Sequence, residues 1–312
     1  MTATHPQPSL VNQPSIRVQS FAKINWSLRV LGKRPDGYHE ISTTLQTISL
    51  HDDLLFEQNV SGDIFLSCDE PDIPTSSDNL IVRAALTLKN RYAVDGGASI
   101  HLHKRIPTKA GLGGGSSNAA VTLLALNELW HIGAGIADLE VVAANIGADV
   151  PFFLHGGSAM ATGIGTEITP LPDAGTAHLI VLQPRVTVST AEAYKALNSP
   201  ALTSNIPIPI LAGSPRAGDF SESAPARGED LQNDFELTIF DMEPEIKRAK
   251  SALLTAGAES ALLAGSGSSV FGIFTDRETQ QRALNQIQLE PGWRVFDCVT
   301  VSRLEYARAL NL

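Results

Sequence analysis

The sequence predicts an α+β fold in two domains, and three observations carry that expectation. Its 312 residues suit two domains at about 100–200 residues each. Period-two and helix-spaced apolar runs both occur, without the strict strand–helix–strand order of a parallel sheet. A cluster of four glycines (Gly111, Gly113, Gly114, Gly115) leads straight into one of the helical runs. No internal repeat is present.

Ile16 and Val18 alternate with polar residues in a first strand-like run. Ile24, Trp26, Leu28 and Val30 then share one face, with Lys23, Asn25, Ser27 and Arg29 on the other. That pattern predicts a strand with one buried face. Pro35-Asp36-Gly37 is a turn, where Gly37 supplies positive φ. A strand over 41–50 is expected to stop at the polar cluster His51-Asp52-Asp53. Asp78 is the expected N-cap of a helix carrying Ile81, Ala84, Ala85 and Leu88. Ile100 and Leu102 alternate with His101 and His103 in a strand that Pro107 ends.

A helix is predicted from Ser117, with Ala119, Leu123, Leu126 and Trp130 as its apolar stripe. The next, capped by Asp138, carries Leu139, Val142, Ala143 and Ile146 and stops at Gly147. Strands are expected at 158–162, 167–171, 179–182 and 270–274, and a helix at 246–256. Residues 198–230 hold five prolines and read as a long mobile loop inside the second half. The first fifteen residues read as a disordered arm.

The formal net charge of −10 argues against a nucleic-acid surface, whose footprint is a basic stripe. It leaves room for an anionic ligand held by backbone N–H groups. Cys68 and Cys298 are the two cysteines. They offer no metal-type pair and at most one bridge, which fits a reducing, cytoplasmic setting. The first fifteen residues lack Lys, Arg and an apolar run, so neither a secretory nor an Arg-rich transit signal is expected. No run of about 18 apolar residues predicts a membrane span.

The chemistry concentrates in Pro107, Thr108, Lys109, Ala110, Gly111, Leu112, Gly113, Gly114, Gly115, Ser116 and Ser117. Glycines let successive N–H groups turn toward one point, and the helix behind adds its own unpaired N–H groups. This is a site for a polyphosphate. The order of residues excludes a Walker A loop, which needs Gly-Lys-Ser/Thr, and the dinucleotide pattern, which fails at Ser116. Asp149 lies between the helix stop at Gly147 and Pro151, a favoured first helical residue. It suits a general base kept ionised by a helix N-terminus, and equally a plain capping aspartate.

The loop resembles the ATP-binding motif of the GHMP kinases, the family of galactokinase and of homoserine, mevalonate and phosphomevalonate kinases. Further segments extend the likeness in family order: Phe21-Ala22-Lys23-Ile24-Asn25, Asp36-Gly37-Tyr38-His39-Glu40, Ile146-Gly147-Ala148-Asp149-Val150-Pro151-Phe152-Phe153, Asn233-Asp234-Phe235-Glu236 and Gly265-Ser266-Gly267-Ser268-Ser269. The N-terminal arm and the Pro/Ser-rich segment depart from it.

The resemblance implies an ATP-binding domain over 1–170 and a substrate-binding domain over 171–312, with the active site in the interdomain cleft. The last strand region would return to the first domain. Lys23 and Asp149 would be catalytic, and 107–117 would bind ATP. Asn25, Tyr38, His39 and Tyr194 would bind the substrate, a cytidine-diphosphate-linked sugar alcohol. The γ-phosphate would go to its tertiary 2-hydroxyl, a step of the non-mevalonate route to isoprenoid precursors. Mg²⁺ would arrive with ATP, with Ser117 a candidate ligand and no dedicated metal residues. A monomer or a homodimer is expected. The alternatives are a homoserine- or mevalonate-type kinase, which needs no base-stacking tyrosines, and a non-catalytic ATP sensor, which needs neither Lys23 nor Asp149.

Overall fold

The computed structural model describes residues 14–173, 175–197 and 231–311. The expected disordered arm, apart from its last two residues, and the proline-rich segment 198–230 lie outside them. Two sheets organise the described chain. The first contains β1 (Ser15–Lys33), β2 (His39–Asn59), β3 (Ile64–Cys68), β4 (Gly97–His103), β5 (Ser158–Thr162) and β6 (Glu167–Pro170). The second contains β7 (His178–Gln183), β9 (Ser260–Leu263), β10 (Val270–Phe274) and β11 (Arg294–Val299), in the order β11-β7-β10-β9. The short β8 (Gln232–Asn233), from the second half of the chain, runs parallel to β1 at Ser27–Leu28 and so joins the first sheet.

Helices α1 (Leu80–Arg91) and α2 (Gly114–Leu129) cover the first sheet, and α3 (Ile136–Ile146) packs against both helices. The second half carries α4 (Thr190–Leu197), α5 (Glu236–Met242), α6 (Pro244–Thr255) and α7 (Arg277–Gln286). β11 stays in the second sheet, and the return to the first half is made by the residues after it. Thr300 bridges to Ile48, and α8 (Arg303–Leu310) packs Tyr306 against Phe21, its hydroxyl donating to the Phe153 carbonyl at 2.5 Å.

β1 differs from its expected form. Ile24 and Trp26 are buried against Leu179, Val181 and Phe271 of the second sheet, and Lys23 and Asn25 on the other face are buried too. The strand is sandwiched between the two halves, so both faces leave water. β2 also runs on through His51-Asp52-Asp53, because β1 and β4 flank it there: Ser20 pairs with Asp52, and Asp53 with His103.

Three helix starts differ as well. Asn79, not Asp78, caps α1, its side chain accepting from Ile81 N at 2.9 Å. Gly135 precedes α3, placing Asp138 in the first turn. α2 begins at Gly114, three residues before Ser117, and is buried almost all round instead of along one stripe. The turn before β2 forms as expected, with Gly37 at φ 90°.

Candidate active site

A cleft of about 1060 Å³ opens between the halves. Its floor is the polar face of β1. Lys23 Nζ donates to Asn25 Oδ1 at 2.9 Å, and Asn25 Nδ2 donates to Thr43 Oγ1 at 2.8 Å. Thr43 in turn donates to the Ser27 carbonyl at 2.6 Å. Both Lys23 and Asn25 are buried, and this chain of bonds leaves each a single orientation. Asp149 Oδ2 lies 3.7 Å from Lys23 Nζ, with its side chain 40% exposed into the cleft. It sits in the turn between α3 and a short 3-10 helix, Pro151–Leu154, whose first residue is the expected proline.

The glycine-rich loop forms one wall. Gly113 adopts φ 70° and starts α2 without any side-chain cap. The first N–H groups of a helix lack partners within it, and here they open beside the cleft-lining Gly114, Gly115 and Ser116. β1 holds the loop in place, Lys23 N donating to the Leu112 carbonyl at 3.0 Å. From the second half, Ser269 N donates to the Ala110 carbonyl at 3.1 Å, and Gly265 and Ser266 reach the cleft.

Aromatic rings complete the lining. His39 lies on Tyr194 with ring centroids 4.7 Å apart and planes at 21°, while Phe235 meets Tyr194 edge-on at 4.9 Å. Burial, then the charge of Asp149, pushes the Tyr194 hydroxyl up to about 12. Burial, then Lys33, lowers the His39 pKa. Tyr38 is 62% exposed.

The comparisons with known proteins bear on this geometry. Residues 79–157 match the N-terminal domain of the GHMP kinases, and residues 211–291 match their C-terminal domain. The 4-diphosphocytidyl-2-C-methyl-D-erythritol kinase of Pelotomaculum thermopropionicum is 41% identical over 261 residues, 84% of this chain and 90% of that protein. The protein of the same name from Prosthecochloris aestuarii is 42% identical over 274 residues, 88% and 94% of the two chains. The chain belongs to the GHMP kinase family. A crystal structure of a 4-(cytidine 5'-diphospho)-2C-methyl-D-erythritol kinase superposes on this GHMP kinase with TM-score 0.73 at 31% identity, covering 92% of this chain and all of that one. A homoserine kinase from Cytophaga hutchinsonii shares the fold, with TM-score 0.68 at 20% identity over 96% of this chain and 98% of its own.

Within this kinase, Lys23, Asn25, Tyr38, His39, Asp149, Tyr194 and residues 107–116 all line the one cleft. Ser117 does not. Its side chain is fully buried and accepts from Ser20 Oγ at 2.7 Å, and its N–H is spent on the Gly113 carbonyl at 2.8 Å. The early start of α2 rotates Ser117 inward and leaves Ser116 at the cleft. His39 covers one face of Tyr194.

Sequence reasoning missed Lys104, Asn118, Thr43 and Phe235, which also line the cleft. Lys104 Nζ meets the fully buried Asp52 at 2.7 Å. Burial lowers the lysine's pKa, and the facing Asp52 opposes that shift. The available signal was position: Lys104 directly follows a strand and precedes the loop.

Proposed function

We propose that this kinase transfers the γ-phosphate of ATP to the 2-hydroxyl of 4-diphosphocytidyl-2-C-methyl-D-erythritol, giving the 2-phosphate and ADP, in the non-mevalonate route to isoprenoid precursors. The carrying observation is that one cleft holds a phosphate-type loop, a lysine–aspartate pair and the ring set Tyr38, His39 and Tyr194. The shared name of relatives 41–42% identical over most of the chain supports the substrate. A bare alcohol has no flat base for those rings to hold.

The loop and the start of α2 bind the polyphosphate through backbone N–H groups and the partial positive charge of the helix end. Asp149 accepts the proton of the 2-hydroxyl as its oxygen bonds to the γ-phosphorus. The bond from that phosphorus to the β–γ bridging oxygen breaks, and ADP leaves. Lys23, fixed by Asn25, orients the hydroxyl with Asp149 and stabilises negative charge on the moving phosphoryl group. Tyr38, exposed at the cleft, offers its ring to cytosine, and the stacked His39 and Tyr194 line the same cleft.

Among the described residues, no group of three or more His, Cys, Asp or Glu could cage a metal. The hydroxyl and carboxylate oxygens lining the cleft are hard donors that fit Mg²⁺ brought in on ATP, which keeps mostly phosphate and water ligands. The Ser116 hydroxyl, which the start of α2 leaves at the cleft, is an oxygen donor that would help hold it. When bound, Mg²⁺ neutralises phosphate charge.

The test is a coupled ADP-release assay with Mg-ATP on the cytidyl substrate, mevalonate, homoserine and galactose. Turnover on the first alone is expected. Turnover on another alcohol, or none with ATP still bound, would overturn the substrate or the catalytic reading respectively.

A further inference from the structure

Asp52 does not reach the cleft, yet what it holds does. Its carboxylate is fully buried and stands on β2 two residues before Leu54 and four before Phe56, both of them buried in the core beneath α1 and α2. An alternation that puts apolar side chains at 54 and 56 puts a charge at 52. A charge in such a place persists only when every lone pair is met. Here four donors meet it. Oδ1 accepts from Arg105 N at 2.7 Å and Ile106 N at 2.8 Å. Oδ2 accepts from Lys104 Nζ at 2.7 Å and Asn118 Nδ2 at 3.0 Å.

These partners bracket one segment. Arg105 and Ile106 carry the chain out of β4 toward Pro107, and Asn118 is the fifth residue of α2. One carboxyl group therefore clamps the chain on both sides of residues 107–117. Lys104 adds a further tie. Its ammonium also donates to the Ile106 carbonyl, and it lies 3.3 Å from where a Cβ would stand on Gly114, at the start of the helix.

We propose that Asp52 is a positioning residue for nucleotide binding, holding both ends of the glycine-rich loop and the Lys104 ammonium beneath it. The inference rests on the reading of that loop as the ATP site. Asp52→Asn keeps the shape and inverts the chemistry at one oxygen. Whichever oxygen becomes NH₂, it faces donors: the two backbone N–H groups, or Lys104 and Asn118. The loop then loses one of its anchors while the substrate side of the cleft keeps all of its bonds.

The experiment measures steady-state kinetics, ATP-analogue binding by calorimetry and amide hydrogen exchange on the wild type, Asp52→Asn and the milder Asp52→Ser. Expected in Asp52→Asn are a KM for ATP and an analogue Kd raised at least about tenfold. The KM for the cytidyl substrate should stay within about twofold, and exchange should quicken over 107–117 but not in the second sheet. An unchanged KM for ATP, or equal changes in both KM values, would overturn the proposal. Should Asp52→Asn not fold, Asp52→Ser carries the same comparison, and its unfolding too would make Asp52 a fold residue and overturn the positioning role. A wild type that binds no ATP would instead overturn the kinase reading.

Discussion

Replacing Lys23 by Met tests the proposed chemistry with little disturbance of packing, since the two side chains are similar in length and Lys23 is buried. At 3.7 Å from Asp149, the ammonium is worth about 1 kcal/mol to that carboxylate in water and about 4 kcal/mol at an effective dielectric constant of about 20. The 40% exposure of Asp149 favours the lower figure, and water takes over its solvation in the variant. Losing the bond to Asn25 Oδ1 strands one acceptor, about 1–3 kcal/mol. Ground-state damage is therefore modest. A donor aimed at charge that develops in the transition state is worth about 2.7–4 kcal/mol, or about 10²–10³ in rate. The expected outcome is a kcat lower by about 10²–10³ in the ADP-release assay, with both KM values within a few-fold. A kcat within about tenfold of wild type, in a variant that melts normally, would remove Lys23 from the chemical step.

Tyr194→Ala removes the ring that carries His39 and meets Phe235. It should raise KM for the cytidyl substrate by about tenfold with KM for ATP unchanged, and equal effects in the kinetic assay would refute the aromatic role. Asn233 is buried and donates to the carbonyls of Leu263 and Gly265, both at 2.8 Å. Asn233→Ala should cost about 3 kcal/mol through stranded backbone groups, seen as a Tm several degrees lower; an unshifted melt would refute that. Burial pushes the Cys298 thiol from its ordinary 9.0 up to about 12. The folded state holds this proton to higher pH than the unfolded chain, so stability falls as pH rises from about 9 toward about 12, and Cys298→Ala should lose that part of the slope in denaturant titrations.

Much of the site was legible because its residues carry local signals. The glycine cluster, the turn at Gly37 and the Gly147–Pro151 stop-and-start are each set by backbone preferences of the residues themselves, and they appear where expected. The misread positions depend on what lies across space. Alternation in β1 shows one apolar face, which the second sheet covers at Ile24 and Trp26; the polar face is buried as well because Asp149, Gly113 and Gly265 close over Lys23. His51-Asp52-Asp53 reads as a strand end until β4 pairs beside it and the segment after β4, with α2, supplies donors for Asp52. Ser117 looks like a phosphate ligand until Ser20 of β1 is seen to donate to its buried hydroxyl. In each case the deciding partner is distant in sequence.

The glycines of the loop answer to two demands that substitution can separate. A Cβ on Gly111 would collide with the Ala264 carbonyl, and one on Gly113 would stand 2.8 Å from Phe153 Cζ and 3.1 Å from Lys23 Cγ. Those two are required by the packing of the loop against Ala264 of the second half and against Phe153 and β1. Gly115 is different. It is exposed, its Cβ would meet only Leu80 Cδ1 at an ordinary 3.7 Å, and it already lies in α2. Alanine in a helix is favoured over glycine by about 0.5–1 kcal/mol, so Gly115→Ala should fold at least as stably as wild type. Nothing among the described residues asks for glycine there, which leaves the close approach of a ligand to the backbone. A raised KM for ATP in a protein of equal or higher Tm is therefore the expected result. An unchanged KM would show that phosphate does not come within side-chain distance of residue 115, and would place the nucleotide on the Gly111–Gly113 side of the loop.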